Sequence, residues 1–249
     1  MNERLAEQYN YEMNSVVADK IAGAEELHHL IPEDALAELQ PVDLSGSRYR
    51  VAKRALDIIL SLLAIVILFL PLAGVALAIV IDDPGSVFFR QYRVGRNGKR
   101  FKIYKFRSMK KETPKYLSTA EVDDPDKYIT RLGRFLRKSS IDELPQLINV
   151  LKGDMSLVGP RPLIADEFEI HAMRLKYGVY TVRPGVTGLA QINGRDTVSP
   201  AEKVKWDVRY LEHFGFAMDA KILIFTFLRV IGHDGVVEGY NFEKESKSA

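Results

Sequence analysis

The chain has 249 residues, none of which is cysteine and only one of which is tryptophan. Without cysteine it can form no disulfide bond, thiolate nucleophile or sulfur-ligated zinc site. Its 35 basic and 33 acidic residues leave a net charge of only +2, and no aromatic–basic repeat is present. These absences exclude a disulfide-stapled fold and a cysteine enzyme, and they give no reason to expect nucleic acid as a partner.

Several common signatures are also missing. The first 20 residues are polar, so we expect no cleaved export signal. The sequence contains no P-loop, no glycine-rich dinucleotide motif after a strand and no HExxH zinc motif. The usual nucleotide-fold and metalloprotease frameworks are therefore not predicted.

Polarity divides the chain into three parts. Residues 1–47 form a polar, acidic N-terminal extension to which we assign no role. Its adjacent histidines, His28 and His29, cannot face one metal ion from a helix, so we interpret them as surface residues. Residues 48–240 form the main predicted domain, and residues 241–249 a polar C-terminal tail.

A single apolar run dominates the main domain. Residues Ile58–Ile81 carry no charge, and a helix of this length would rise about 36 Å, enough to cross a hydrocarbon core of about 30 Å. We therefore predict a membrane-inserted helix at about residues 56–81.

The course of this helix in the membrane is open from the residues alone. Basic residues flank the run on both sides, and basic flanks favour the cytoplasm. Pro71 lies within the run and removes a backbone hydrogen bond. A helix that bends there and returns to the same face fits both observations, and a kinked spanning helix is the alternative.

Beyond the apolar run, patterning indicates a mostly helical α+β domain. Short strands are predicted on either side of the turn Gly95–Gly98. Helices are predicted at residues 131–137, 141–151, 166–177 and 201–214. The apolar stretch Lys221–Val230 is too short to span a membrane and suits either the core or the lipid interface.

Two adjacent carboxylates, Asp142 and Glu143, are the first candidates for chemistry. Ser140 and Glu143 have the spacing of a capping box that begins a helix, and Gly153 is placed to end it. Acids in a first turn complement the helix dipole and need no other role. Alternatively, an ionised carboxylate held there could attack phosphorus, and such a site would need a divalent cation and arginines beside it.

Arginines framed by stiff backbone are the second set of candidates. Arg131, Arg134 and Arg137 recur every third residue, and for the first two we favour a solvated face. Arg161 lies between Pro160 and Pro162, which restrict the backbone around it. Turn motifs at Arg183–Gly188 and Asn193–Arg195 follow. Together these segments suggest a phosphate-binding set.

These motifs resemble the monotopic phosphoglycosyl transferases, also known as bacterial sugar transferases or undecaprenyl-phosphate sugar phosphotransferases. The resemblance covers about residues 48–240 and rests on ordered motifs: Lys53-Arg54-x-x-Asp57, Tyr104–Met109, Asp142–Leu147, Leu151–Ser156, Val158–Pro162, Arg183–Gly188 and Gln191–Arg195.

The resemblance implies a monotopic membrane protein with one re-entrant helix broken at Pro71 and a catalytic domain on the cytoplasmic face of the bacterial inner membrane. It implies transfer of a hexose-1-phosphate from a UDP-sugar to polyprenyl (undecaprenyl) phosphate, with release of UMP, as the first membrane step of glycan assembly. Asp142 would be the nucleophile and a ligand of Mg²⁺, and Glu143 would assist the lipid acceptor. Arg137, Arg161 and Arg195 match phosphate- or nucleotide-binding positions.

One departure from the family pattern concerns the helix break. Leu70 stands where many members have serine, and the missing hydroxyl alters how a bend there could be satisfied. Neither the sugar nor the presence of a homo-oligomer follows from the sequence. A non-catalytic membrane-anchored scaffold is the alternative function, but it leaves the Asp142–Glu143 site unexplained. The alcohol phosphotransferases that use CDP-linked lipids require several membrane helices, which this sequence lacks.

Overall fold

A computed structural model describes residues 36–113, 127–194 and 199–232 of the chain. Arg195 and the tail at residues 241–249 lie outside the described residues. Helices make up most of the regular structure, and the strands form two small two-stranded sheets. The predicted mostly helical α+β class is therefore confirmed for the described part of the chain.

The first helix, α1, runs over Tyr49–Asp82 and contains the predicted membrane segment. It is the one described helix that is long and apolar enough to cross a membrane by length and composition. Pro71 lies inside α1, and helical structure continues on both sides of it. The re-entrant course stays a prediction.

One stripe of α1 packs against the rest of the domain. Lys53, Asp57, Ser61 and Ile79 are buried and follow helical spacing. The other faces expose apolar side chains, including Ile59, Leu63, Val66, Ile67, Phe69 and Leu70. A long row of exposed aliphatic and aromatic residues indicates a surface that meets lipid or another apolar partner.

The predicted hairpin is confirmed. Strands β1 (Phe88–Val94) and β2 (Arg100–Phe106) pair antiparallel, with Phe88 opposite Phe106 and Val94 opposite Arg100. The connecting turn holds Asn97 in the left-handed region, with φ of 56°. Because side chains alternate along a strand, β1 and β2 present one face to the domain interior and one outward.

Six further helices complete the described domain. They are α2 (Arg131–Lys138), α3 (Gln146–Lys152), α4 (Phe168–Lys176), α5 (Leu189–Ile192), α6 (Pro200–Glu212) and α7 (Phe216–Gly232). Three predicted helices correspond to α2, α4 and α6 with small shifts at their ends. A capping box of Ser199 and Glu202 fixes the start of α6. The predicted helix at 141–151 begins later than expected, for a reason given below.

A second, parallel strand pair was not predicted. Strands β3 (Ser156–Val158) and β4 (Gly185–Thr187) lie side by side, so Pro184-Gly185 leads into a strand rather than a simple turn. The backbones cross so closely that a Cβ on Gly185 would lie 2.1 Å from the amide nitrogen of Gly159. Glycine at both positions allows this crossing, which fixes the loop that follows β3.

The core forms around α4, α6 and α7. Leu36 is buried against Ile170, Met173 and Val204, so residues from the predicted N-terminal extension take part in the core. In α7, Ile222 is buried while other residues of the same helix, such as Phe227, are exposed. Helix α7 therefore has a core face and an exposed apolar face.

Candidate active site

The two candidate carboxylates lie in a short 3-10 turn, Ile141–Glu143, between α2 and α3. Ser140 before it has a left-handed backbone with φ of 57°, which lets the chain reverse direction directly after α2. Helix α3 then leads away from the turn and ends at Gly153, as predicted, with φ of 88°. This arrangement holds Asp142 and Glu143 on rigid backbone between two helices.

The predicted capping box at Ser140 is wrong. The Ser140 side chain makes no capping hydrogen bond, and the Glu143 amide instead donates to the Ser140 carbonyl oxygen at 3.2 Å. Pro145 has no N–H to donate to Ile141, so an α-helix cannot run through this position and α3 begins at Gln146. The carboxylates therefore precede the helix and do not occupy its first turn.

Asp142 is almost completely buried, with 8% of its surface exposed. Burial, followed by the neighbouring Glu143 carboxylate, raises its pKa from 3.8 to about 6. The charges of Lys105 and Arg137 act in the opposite direction. A buried carboxylate with a raised pKa beside cations is a feature that catalytic sites share.

Glu143 is held by two cations from other parts of the chain. Its Oε1 atom lies 2.8 Å from the Lys105 ammonium and 3.5 Å from Nη1 of Arg161. Lys105 projects from β2, and burial lowers its pKa while Glu143 raises it. Strand β2, the 3-10 turn and the Arg161 loop thus converge on one point.

Arg137 is placed beside Asp142 by the close packing of α2 on the segment after β2. Its Nε donates to the Ser108 hydroxyl at 3.0 Å. Gly133, one turn earlier, allows the approach, because a Cβ there would lie 1.9 Å from the Ser108 carbonyl oxygen. Arg131 and Arg134 are exposed, in agreement with a solvated face.

Arg161 lies on a loop whose backbone is held by buried hydrogen bonds. Nη1 of Arg174 donates to the Arg161 carbonyl oxygen at 2.7 Å. Arg174 is itself buried and paired with the buried Asp207, with 2.7 Å between Nη2 and Oδ2. The Arg161 side chain remains partly exposed. Its backbone is therefore fixed, while its guanidinium lies beside Glu143 with part of its surface exposed.

The motif Lys53-Arg54-x-x-Asp57 fastens α1 to the domain. Lys53 forms a buried ion pair with Asp219. Arg54 donates to the carbonyl oxygens of Val150 and Leu151 at the end of α3. Asp57 accepts from the Ser156 hydroxyl and the Leu157 amide, both at 3.0 Å. These contacts are structural and lie at the opposite end of α3 from the carboxylates.

The predicted metal site is only partly defined by protein groups. Within residues 36–113, 127–194 and 199–232, no three or more acidic or histidine side chains come together as metal ligands. Asp142 and Glu143 still supply oxygen atoms, and Mg²⁺ is commonly held by one or two carboxylates together with substrate phosphates and water. The donor set fits a Mg²⁺ ion that arrives with a phosphorylated substrate.

Two residues near the site were missed by the sequence analysis. Lys105 and Arg93 lie on the inner face of the hairpin, which alternation along β1 and β2 could have indicated. Both are basic residues on a face that also carries the apolar residues Phe89, Phe101 and Ile103.

The sequence is similar to those of known proteins. The profile of bacterial sugar transferases matches residues 48–233. The chain belongs to the bacterial sugar transferase family. This family member is 43% identical over 196 residues to a UDP-glucose:undecaprenyl-phosphate glucose-1-phosphate transferase of Escherichia coli, and 40% identical over 207 residues to an undecaprenyl-phosphate galactose phosphotransferase of Salmonella typhimurium.

The matches differ in how much of each relative they cover. They take in 76% and 78% of this chain but only 42% of the E. coli protein and 43% of the Salmonella protein. The sugar transferase EpsL of Bacillus subtilis is 41% identical over 192 residues, which is 75% of this chain and 90% of EpsL. This bacterial sugar transferase therefore spans less than half the length of the first two relatives and most of the third.

Proposed function

We propose that the protein transfers a hexose-1-phosphate from a UDP-sugar to a polyprenyl phosphate, releasing UMP. The observation that carries this proposal is the buried Asp142, whose carboxylate lies beside Glu143, Lys105 and Arg137. The similarity to the E. coli glucose-1-phosphate transferase and the Salmonella galactose phosphotransferase supports the substrate class.

The proposed reaction has two displacement steps at phosphorus. An oxygen of the Asp142 carboxylate attacks the β-phosphorus of the UDP-sugar, and the bond from this phosphorus to the bridging oxygen breaks. UMP leaves with the bonding electron pair, and the sugar phosphate remains on Asp142. A phosphate oxygen of the polyprenyl phosphate then attacks the same phosphorus and displaces the Asp142 carboxylate.

The surrounding side chains have separate tasks in this scheme. Arg161 binds phosphate oxygens through its guanidinium, and Arg174 holds the Arg161 backbone in place. Arg137 offsets the negative charge beside Asp142. Glu143 orients the attacking lipid phosphate and takes up its proton if one is present. Arg195, outside the described residues, is proposed to bind phosphate or nucleotide.

Mg²⁺ is the proposed cofactor, held by Asp142 together with the diphosphate. When bound, it would neutralise charge on the phosphate oxygens. The two adjacent carboxylates support this assignment, because they would otherwise repel an anionic substrate.

We also propose a monotopic arrangement at the cytoplasmic face of the bacterial inner membrane, and two sets of contacts to α1 support its re-entrant course. The domain binds α1 near its start, through Asp57, and again from Leu72 to Ile79. From Asp57 to Leu72 the helix rises only about 22 Å, less than a hydrocarbon core of about 30 Å. One polar domain that contacts both ends favours a re-entrant α1, with the bend at Pro71.

A panel of UDP-sugars tests the proposed function. The full chain in lipid nanodiscs is mixed with each UDP-sugar, polyprenyl phosphate and Mg²⁺, and released UMP is measured. We expect release with at least one sugar and none from the Asp142→Asn variant, whose amide cannot act as the nucleophile. Absence of UMP release across the panel, or equal release from the variant, would favour the non-catalytic scaffold.

A further inference from the structure

One side of the Arg93 guanidinium lacks a hydrogen-bond partner among the described residues. Its Nη2 donates to Gln91 Oε1 at 2.6 Å. Its Nε is buried and has no hydrogen-bond partner among the residues that the structure describes. Leaving a buried donor of a charged group unpaired is costly, so such a group calls for a function.

The fold brings Arg93 next to the candidate active site. Arg93 and Lys105 occupy the same face of the hairpin, because Arg93 pairs with Phe101 and Lys105 lies four residues further along β2. The next residue on β1, Val94, donates its amide to the Leu163 carbonyl oxygen at 3.0 Å. That bond ties β1 to the loop that carries Arg161.

The charges at this point are unbalanced towards the positive. Burial and then the charge of Arg161 lower the pKa of Arg93 from 12.5 to about 10, while Glu167 and Glu143 act in the opposite direction. The set contains four cations, Arg93, Lys105, Arg137 and Arg161, against the three carboxylates of Asp142, Glu143 and Glu167. Two mutually repelling guanidinium groups are stabilised when an anion lies between them.

We propose that Arg93 and Arg161 together bind the diphosphate of the nucleotide sugar, with the Arg93 Nε donating to a phosphate oxygen. This inference rests on the proposed function, since it assigns a further residue to the same substrate. Arg93 reaches the site from the hairpin and Arg161 from the loop after β3. The diphosphate would therefore be held between two elements that are fixed to each other by the Val94–Leu163 hydrogen bond.

The experiment compares UDP binding and ligand-free stability in the full chain in nanodiscs. The variant Arg93→Met keeps an unbranched apolar stem but removes the charge and all donors. We expect it to bind UDP at least about 10-fold more weakly than wild type in a calorimetric titration. Its ligand-free unfolding midpoint should be equal to or above that of wild type, because the burial penalty and the repulsion from Arg161 that are removed outweigh the lost interactions with Gln91, Glu167 and Glu143.

Arg90→Met is the matched control. Arg90 lies on the same strand but on the outward face, with its guanidinium 5.3 Å from the centre of the Tyr104 ring. The variant Arg90→Met removes the same charge from the same strand. Its UDP affinity should stay within about twofold of wild type. Equal weakening in both variants would mean that only diffuse charge is involved and would overturn the proposal.

The remaining outcomes also decide the question. A lowered unfolding midpoint of Arg93→Met with unchanged UDP affinity would make Arg93 a structural residue and overturn the proposal. If Arg93→Met does not fold, Arg93→Lys decides, because lysine keeps the charge but not the Nε donor, and unchanged affinity then contradicts the inference. Failure of wild type to bind UDP would instead overturn the proposed function together with it.

Discussion

At the scale of single residues, the chemistry of the site is concentrated in a few charged side chains. Asp142, Glu143, Arg137 and Arg161 could be selected from the sequence because motifs carry them. Lys105, within the motif Tyr104–Met109, and Arg93, in the predicted hairpin, were not selected, because a basic residue in a strand is ordinary until the facing element is known. Their importance follows from β2 and β1 lying against the turn and loop that hold the carboxylates.

The first prediction concerns the stability cost of Asp142. Its pKa is raised from 3.8 to about 6 by folding, so ionising it opposes folding at pH above 6. Without substrate and with chelator present, Asp142→Asn should raise the free energy of unfolding at pH 7.5 by up to about 3 kcal/mol. The gain should shrink as the pH falls from 6 to 3.8 and disappear well below 3.8, where the wild-type carboxyl is protonated in both states.

Denaturant unfolding in detergent across this pH range measures the effect. Asp166→Asn, at an exposed position, is the control and should change stability by less than about 0.5 kcal/mol. An Asp142→Asn variant that is less stable than wild type at pH 7.5 would show that the carboxylate is a structural group.

The second prediction concerns Arg161. Lysine keeps the charge but cannot donate two parallel hydrogen bonds to a phosphate. We expect Arg161→Lys to lower kcat/KM for UMP release by at least about 10-fold, measured with the sugar that wild type accepts. Arg134→Lys, on the exposed face of α2, should leave it unchanged. Full activity of Arg161→Lys would mean that Arg161 contributes only a diffuse positive charge.

At the scale of elements, the sequence predicts which segments are helices better than where they begin. The hairpin and helices α2, α4 and α6 follow from periodicity and turn residues. The start of α3 was misplaced because the spacing of Ser140 and Glu143 matches a capping box, whereas Pro145 and the left-handed Ser140 impose a 3-10 turn. Local spacing alone could not distinguish the two.

Packing between elements provides the third prediction. Helix α2 approaches the segment after β2 so closely that Gly133 has no room for a side chain against the Ser108 carbonyl oxygen. Gly133→Ala should push α2 away, break the Arg137–Ser108 hydrogen bond, and cost about 1–3 kcal/mol of stability. Activity should fall even at temperatures where the variant is folded, because Arg137 moves away from Asp142.

Gly46→Ala is the matched control, since a Cβ there meets nothing within 4 Å. Thermal unfolding and UMP release are measured for both variants. If Gly133→Ala retains wild-type stability and activity, the close approach of α2 to Ser108 does not position Arg137.

At the scale of the whole molecule, features formed by residues far apart in the chain could not be predicted from the sequence. The parallel pair β3–β4 joins Ser156 to Gly185, and its glycine crossing has no local signature. The participation of Leu36 in the core also depends on residues more than 100 positions away. The apolar helix α1 could be predicted from the sequence, but its course relative to the membrane depends on the contacts that the domain makes with both of its ends.

The fourth prediction is that both ends of α1 face the cytoplasm. Single cysteines at Ser47 and Ser86 report on the two sides, in a chain that has no cysteine of its own. In intact cells, a thiol reagent that does not cross the inner membrane should label neither position, and permeabilised cells should label both. Labelling of one position alone in intact cells would mean that α1 spans the membrane.

Detection of a covalent intermediate on Asp142 tests the proposed two-step mechanism most directly. The purified chain in nanodiscs is mixed with an excess of its UDP-sugar and Mg²⁺, but without polyprenyl phosphate. We predict rapid release of about one UMP per active protein, and a mass increase of one sugar phosphate on the peptide that contains Asp142. Adding polyprenyl phosphate should then remove the adduct and restore turnover. UMP release that begins only when the lipid is added, with no adduct at Asp142, would contradict the two-step mechanism.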